Sequence, residues 1–201
     1  MRQILSGVKL INRVERWACA LARLSAIAGG LVLLAVMLMT VISVAGLSIS
    51  KFALWLKKSH DIIIEPLLAI GPIPGETELI ETGMAFIIFA FMPLVTLNRG
   101  HASVEILTNA FSNGINRLID LVADILLLVV AAYLTYRHYL GTLDKYGYGE
   151  TTWILQFPLW WGYAAALVGA VIFVIICVFC VARSFNYLVT GRQRPTSGVF
   201  H

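Results

Sequence analysis

Three uncharged apolar runs dominate this sequence, at residues 24–50, 82–98 and 151–182, and a fourth stretch at 118–136 is interrupted only by Asp120 and Asp124. A bilayer crossing needs about 20 predominantly apolar residues. Hydrocarbon offers no partner to backbone N–H and C=O groups, so runs of this length satisfy them internally as helices rather than as the short alternating strands of a barrel. Composition agrees: 59% of the residues are hydrophobic and 13% charged, against about 25% charged in a soluble domain. The sequence therefore predicts an all-α integral membrane protein, with four transmembrane helices near residues 24–48, 78–98, 118–138 and 157–182 and additional interfacial amphipathic helices. The chain reads as one membrane domain over 1–201, without internal repeats or low-complexity segments.

The first run differs from a secretory signal peptide. It begins after some 23 residues and is roughly twice as long as the usual apolar core of ~7–15 residues, so it is expected to be retained. Lys and Arg beside spans tend to stay cytoplasmic. Arg2, Lys9, Arg13, Arg16, Arg23, Arg99, Arg117, Arg183, Arg192 and Arg194 fall on one side of a four-crossing chain. Lys51, Lys57, Lys58, Arg137 and Lys145 fall on the other. The expectation is a multi-pass protein of a bacterial inner membrane with both termini cytoplasmic. This bias also accounts for the formal charge of +4, so no nucleic-acid partner is expected.

Between the spans lie segments suited to the membrane surface. Arg2, Lys9, Arg13 and Arg16 share one side of a helical wheel and Ile4, Val8, Ile11 and Val14 the other, the pattern of an interfacial helix that meets anionic lipid or leads into the first span. An outer loop is expected over 50–75, with Pro66, Pro72, Pro74, Gly71 and Gly75 near its end. Its apolar patches, residues 52–55 and 62–64, suit a partner or the membrane interface. Val104, Leu107, Phe111, Ile115 and Leu118 form a stripe that predicts a cytoplasmic interfacial helix over 102–117.

Few polar residues stand where chemistry is possible. Glu76, Glu78 and Glu81 open the second span, where acids complement the positive end of a helix. Glu78 and Glu81 share a face, and Glu81 is deep enough that lipid exposure would be costly, which predicts a protein-facing position. Pro93 lies inside the same helix and removes one of its hydrogen bonds. Asp120 and Asp124, four apart with Arg117 just before, suit either a salt-bridged helix contact or a cation or proton site. His101 suits capping better than ligation. Trp160, Trp161 and the tyrosines around 133–148 read as an outer aromatic belt, and Pro158 suits the first turn of the last helix. Ala165 with Gly169, and Ala26 with Gly30, have spacing for close helix contact. Cys177 and Cys180 sit inside an apolar run, where thiols behave as small hydrophobes. No phosphate loop, zinc-spaced cluster or nucleophile elbow is present in the sequence. Neither an enzyme nor a bound cofactor is expected.

Several of these features together carry a family resemblance. They are the basic lead-in, Glu78-Leu79-Ile80-Glu81 at the entry to the second span, Arg99-Gly100-His101-Ala102-Ser103-Val104-Glu105 after it, and Gly149-Glu150-Thr151-Thr152 leading to Phe157-Pro158-Leu159-Trp160. In that order the chain resembles the small membrane subunit of tripartite ATP-independent periplasmic (TRAP) transporters over nearly its whole length. The resemblance implies a Na⁺-coupled uptake system for organic acids. In it a periplasmic protein captures the substrate, a large multi-span subunit moves it, and the small subunit braces the large one and helps dock the binding protein. Expected partners are those two proteins and membrane lipids. Candidate contacts are Glu78, Glu81, Arg99, His101, Asp120, Asp124, Trp160 and Trp161. Two other readings stay open: a small autonomous channel or carrier using Asp120 and Asp124, and a membrane redox protein using His101, His138 and the cysteine pair.

Overall fold

A computed structural model of the chain describes residues 2–60, 71–98 and 113–190. These form four helices: α1 (Arg2–His60), α2 (Glu76–Leu97), α3 (Asn113–Tyr148) and α4 (Leu159–Thr190). There is no β-strand among the described residues. All four are long and apolar enough to cross a membrane, as the apolar runs predict.

The helices outrun the apolar runs that nucleate them. α2, at 22 residues, is about 33 Å long at 1.5 Å per residue, close to the ~30 Å hydrocarbon layer. α1 has 59 residues without a break. The basic lead-in is therefore continuous with the first span, and the stretch after residue 50, expected as loop, is helical as far as His60. Nothing between 51 and 60 stops a helix, since no Pro or Gly occurs there. α3 likewise runs on to Tyr148 and ends at Gly149, whose φ of 62° suits the left-handed position after a helix. The interfacial helix expected over 102–117 lies largely outside the described residues, and its last five residues open α3.

α2 and α4 form the centre of the bundle, with α1 packed on α2 and α3 packed on α4. Between lipid-embedded helices there is no hydrophobic drive, because lipid tails are as apolar as the side chains; close van der Waals approach does the work, and small residues permit it. A Cβ added to Gly162 would stand 2.2 Å from Thr82 Cγ2, and one added to Gly29 would stand 2.8 Å from Ala90 Cβ. At Gly169 it would meet Phe89 Cβ at 3.0 Å and the Phe89 backbone carbon at 3.2 Å. Pro93, fully buried, lacks the N–H that the Phe89 carbonyl would otherwise accept. Gly169 thus admits α2 at the turn where its own hydrogen bonding is interrupted.

The expected small-residue pairs name the right class but miss part of the register. Ala165 is exposed, Gly30 meets only the Phe91 ring at 3.9 Å, and Gly29 and Gly162 make the tighter approaches. Buried side chains complete the seams. Ala18, Ala22, Leu97, Ile176 and Cys180 join α1, α2 and α4. Ala131, Phe173 and Cys177 join α3 to α4.

Polar contacts tie the bundle at both ends. At one end Arg183 Nη2 of α4 donates to the Leu97 carbonyl of α2 at 3.5 Å, and its guanidinium lies 3.9 Å from Glu15 of α1. At the other end the Ile73 amide donates to Ser43 Oγ at 3.1 Å, folding the chain before α2 back onto α1. The helix between Glu15 and Ser43 is about 42 Å long, matching a bilayer with its headgroups at ~40–45 Å.

Candidate functional site

Among the described residues, polar contacts gather at the turn between α3 and α4, at the end where α2 begins. Glu150 leaves α3 paired with Lys145 at 2.6 Å. Thr151 and Pro158 then face each other as an antiparallel bridge. The Thr152 amide donates to the Phe157 carbonyl at 2.9 Å, and the Leu159 amide donates to the Glu150 carbonyl at 3.0 Å. The Phe157 amide donates to Thr152 Oγ1 at 3.1 Å. Gln156, at a left-handed φ of 52°, donates its side-chain amide to the Trp153 carbonyl at 2.9 Å.

Glu78 closes this turn from another helix. Its Oε1 accepts the Ile154 amide at 2.8 Å and its Oε2 the Leu155 amide at 3.0 Å. The carboxylate is held there because α2 starts two residues earlier, at Glu76, with Gly75 at φ 78° as its N-cap. That glycine is required twice over, since a side chain would be strained at this φ and its Cβ would fall 2.4 Å from Leu155 Cγ. The helix end and the turn are therefore fitted to each other. Aromatic rings surround them: Tyr146 meets Trp160 edge-on at 5.4 Å, Phe157 meets Trp161 at 5.5 Å, and the two tryptophans lie 6.0 Å apart. Trp160 is half-buried and Trp161 exposed.

The remaining candidates separate. Glu81 is exposed and, among the described residues, has no hydrogen bond or ion pair. Asp124 accepts a hydrogen bond from Ser184 of α4, whose side chain is fully buried, so it is engaged within this chain. Asp120 and Arg117 are half-buried, each with a polar or electrostatic partner. Arg99 and His101 lie outside the described residues. His138 donates from Nε2 to the Tyr163 carbonyl at 3.0 Å. Its ring stacks on Tyr163 at 5.3 Å and meets Phe89 at 5.5 Å, so it joins three helices. Cys177 and Cys180 are buried in different seams, Cys177 toward α3 and Cys180 toward α1 and α2.

Sequence reasoning missed the pairing of Glu78 with the turn and that of Asp124 with Ser184. The one signal for the first was an uncharged stretch, 151–157, between an acidic residue and a proline, some of whose amides need acceptors from elsewhere.

Residues 67–188, more than half of the chain, match the family described as the DctQ component of tripartite ATP-independent periplasmic transporters. The chain belongs to this family. As a DctQ component it is the small membrane subunit of a TRAP transporter, a multi-pass membrane protein of a family that works with a large membrane subunit and a periplasmic binding protein. The match includes α2, α3, the turn that Glu78 closes and most of α4. No curated protein and no solved structure matches the chain.

Proposed function

We propose that this DctQ component is the bracing subunit of a Na⁺-coupled transporter for organic acids, seated in a bacterial inner membrane with both termini cytoplasmic. It holds the large transport subunit in place, and its outer end, where the α3–α4 turn lies, helps dock the periplasmic binding protein. The observation that carries the bracing role is Glu81. It is an exposed carboxylate on a spanning helix, one turn past Glu78, without a partner among the described residues. Exposure of such a group to lipid is costly, and a donor on another polypeptide removes the cost. The tightly fitted seams at Gly29, Gly162 and Gly169 support the same role, since closely packed helices make a stiff support rather than a moving part. Exposed apolar residues along α1, among them Leu24, Ile27, Leu31, Leu34 and Leu38, supply surface for lipid and for the large subunit.

Co-purification tests the proposal. Glu81→Ala is expected to lower recovery of the large subunit with this chain while the chain itself stays inserted and abundant. Unchanged recovery in detergent, with normal uptake, removes Glu81 from the interface.

A further inference from the structure

The turn at 151–158 is built unlike a loop that lives in water. Its tip is apolar: Trp153 is 93% exposed, Ile154 59% and Leu155 40%. Several of its polar groups are bonded to other protein groups. The amides of Thr152 and Phe157 bond across the turn, those of Ile154 and Leu155 reach Glu78, and the Trp153 carbonyl is met by Gln156. Water would satisfy these groups without help. At the boundary of headgroups and acyl chains it does not, and irregular backbone is tolerated there only when other protein groups take over.

Position and charge point the same way. No charged residue occurs from Thr151 to Ala182, so the turn belongs to the same uncharged run as the α4 span. It leads directly into an exposed apolar stripe on α4, formed by Trp161, Val168, Val171, Ile175 and Val178. Tyr146, Tyr148 and Trp161 are exposed beside it, and such rings concentrate at headgroup level. A soluble protein would find no charge on the turn to recognise, whereas a lipid surface requires only apolar area and aromatic rings.

We propose that the α3–α4 turn is a membrane-inserted anchor. Trp153 and Ile154 penetrate the outer boundary between headgroups and acyl chains, and Glu78 serves as the internal acceptor that allows backbone to lie there. The anchor fixes the depth and tilt of α3 and α4 at the end where they are joined. Its occupant is lipid, so it is separate from any docking of the binding protein at the same end of the molecule.

The test places an environment-sensitive thiol-linked fluorophore at Trp153→Cys, and separately at Ile154→Cys. The full chain is used in complex with its large subunit, in nanodiscs of phosphatidylethanolamine and phosphatidylglycerol. The parent carries Cys19→Ser, because Cys19 is half-buried; with its remaining Cys177 and Cys180 buried, it is the labelling blank. Blue-shifted emission is expected, quenched by lipids carrying a nitroxide just below the headgroup and resistant to aqueous iodide. Adding Glu78→Ala should reverse this, with loss of lipid quenching and gain of iodide quenching. Iodide quenching without lipid quenching, at both positions, overturns the anchor. So does shielding from both quenchers, which places the turn against protein, and so does iodide quenching that disappears only when the binding protein is added.

Discussion

Replacing Gly169 by Leu should force α2 and α4 apart. A Cβ at this position would stand 3.0 Å from Phe89 Cβ, 3.2 Å from the Phe89 backbone carbon and 3.3 Å from the Ala90 nitrogen. Carbon atoms prefer about 3.5–4.0 Å. The obstruction is backbone, which cannot rotate aside, so the helices must separate by roughly 0.5 Å to restore that distance. Overpacking of this kind costs about 1–3 kcal/mol, and replacing Gly by Ala in a helix returns about 1 kcal/mol. Gly169→Ala should therefore lose about 0–2 kcal/mol on that balance. Gly169→Leu drives three more carbons into the same gap and should lose about 3 kcal/mol. Gly141 is the control: its added Cβ would meet Tyr163 Cε1 at an ordinary 3.6 Å. Gly141→Ala should be neutral or stabilise by up to about 1 kcal/mol. Equilibrium unfolding in mixed micelles, followed by circular dichroism as the denaturing detergent fraction rises, measures all three. A Gly169→Leu midpoint equal to that of the parent, or a Gly141→Ala variant as damaged as Gly169→Leu, would refute the seam.

Two further outcomes follow from particular contacts and a third from the charge bias. Ser184→Ala removes a buried donor to Asp124 and should cost about 1–3 kcal/mol in the same assay; no change would mean that α3 is not tied to α4 there. Glu78→Ala should speed hydrogen exchange at the amides of Ile154 and Leu155, which lose their acceptors, and leave exchange in the middle of α4 unaltered. Unchanged exchange in the turn contradicts the pairing. Cysteines placed at Ser59 and Tyr146 should react with impermeant thiol reagents from the periplasm, and cysteines at Asn113 and Ser197 should not; reversed labelling overturns the orientation argued from Lys and Arg.

The number of helices was legible because a long uncharged run has few alternatives in a membrane. Their ends were not, because a helix stops at a structural breaker rather than where hydrophobicity fades. α1 therefore passes Lys51, Lys57 and Lys58, and α3 continues to Tyr148 until Gly149 turns it. Small residues announced close packing, but spacing alone does not reveal which face meets a neighbour, so Gly29 and Gly162 were missed while Ala165 was included. Glu78 was legible as an acid at a helix start. Its partners lie 76 and 77 residues away, a separation at which no local pattern links the two. The four-residue spacing of Asp120 and Asp124 was visible on α3, whereas Ser184 reaches Asp124 only because α4 returns antiparallel beside it. The family was legible from the order of several loose motifs, of which the last pair, 149–152 and 157–160, frames the turn itself.

Uptake in proteoliposomes tests the central claim most directly, with the large subunit, the binding protein and a labelled organic acid which that binding protein retains, in the presence of a Na⁺ gradient. Uptake should require this chain, and this chain without the large subunit should give none. Transport at the full rate by the large subunit and binding protein without it would contradict the bracing role, and uptake by this chain alone would make it a carrier in its own right.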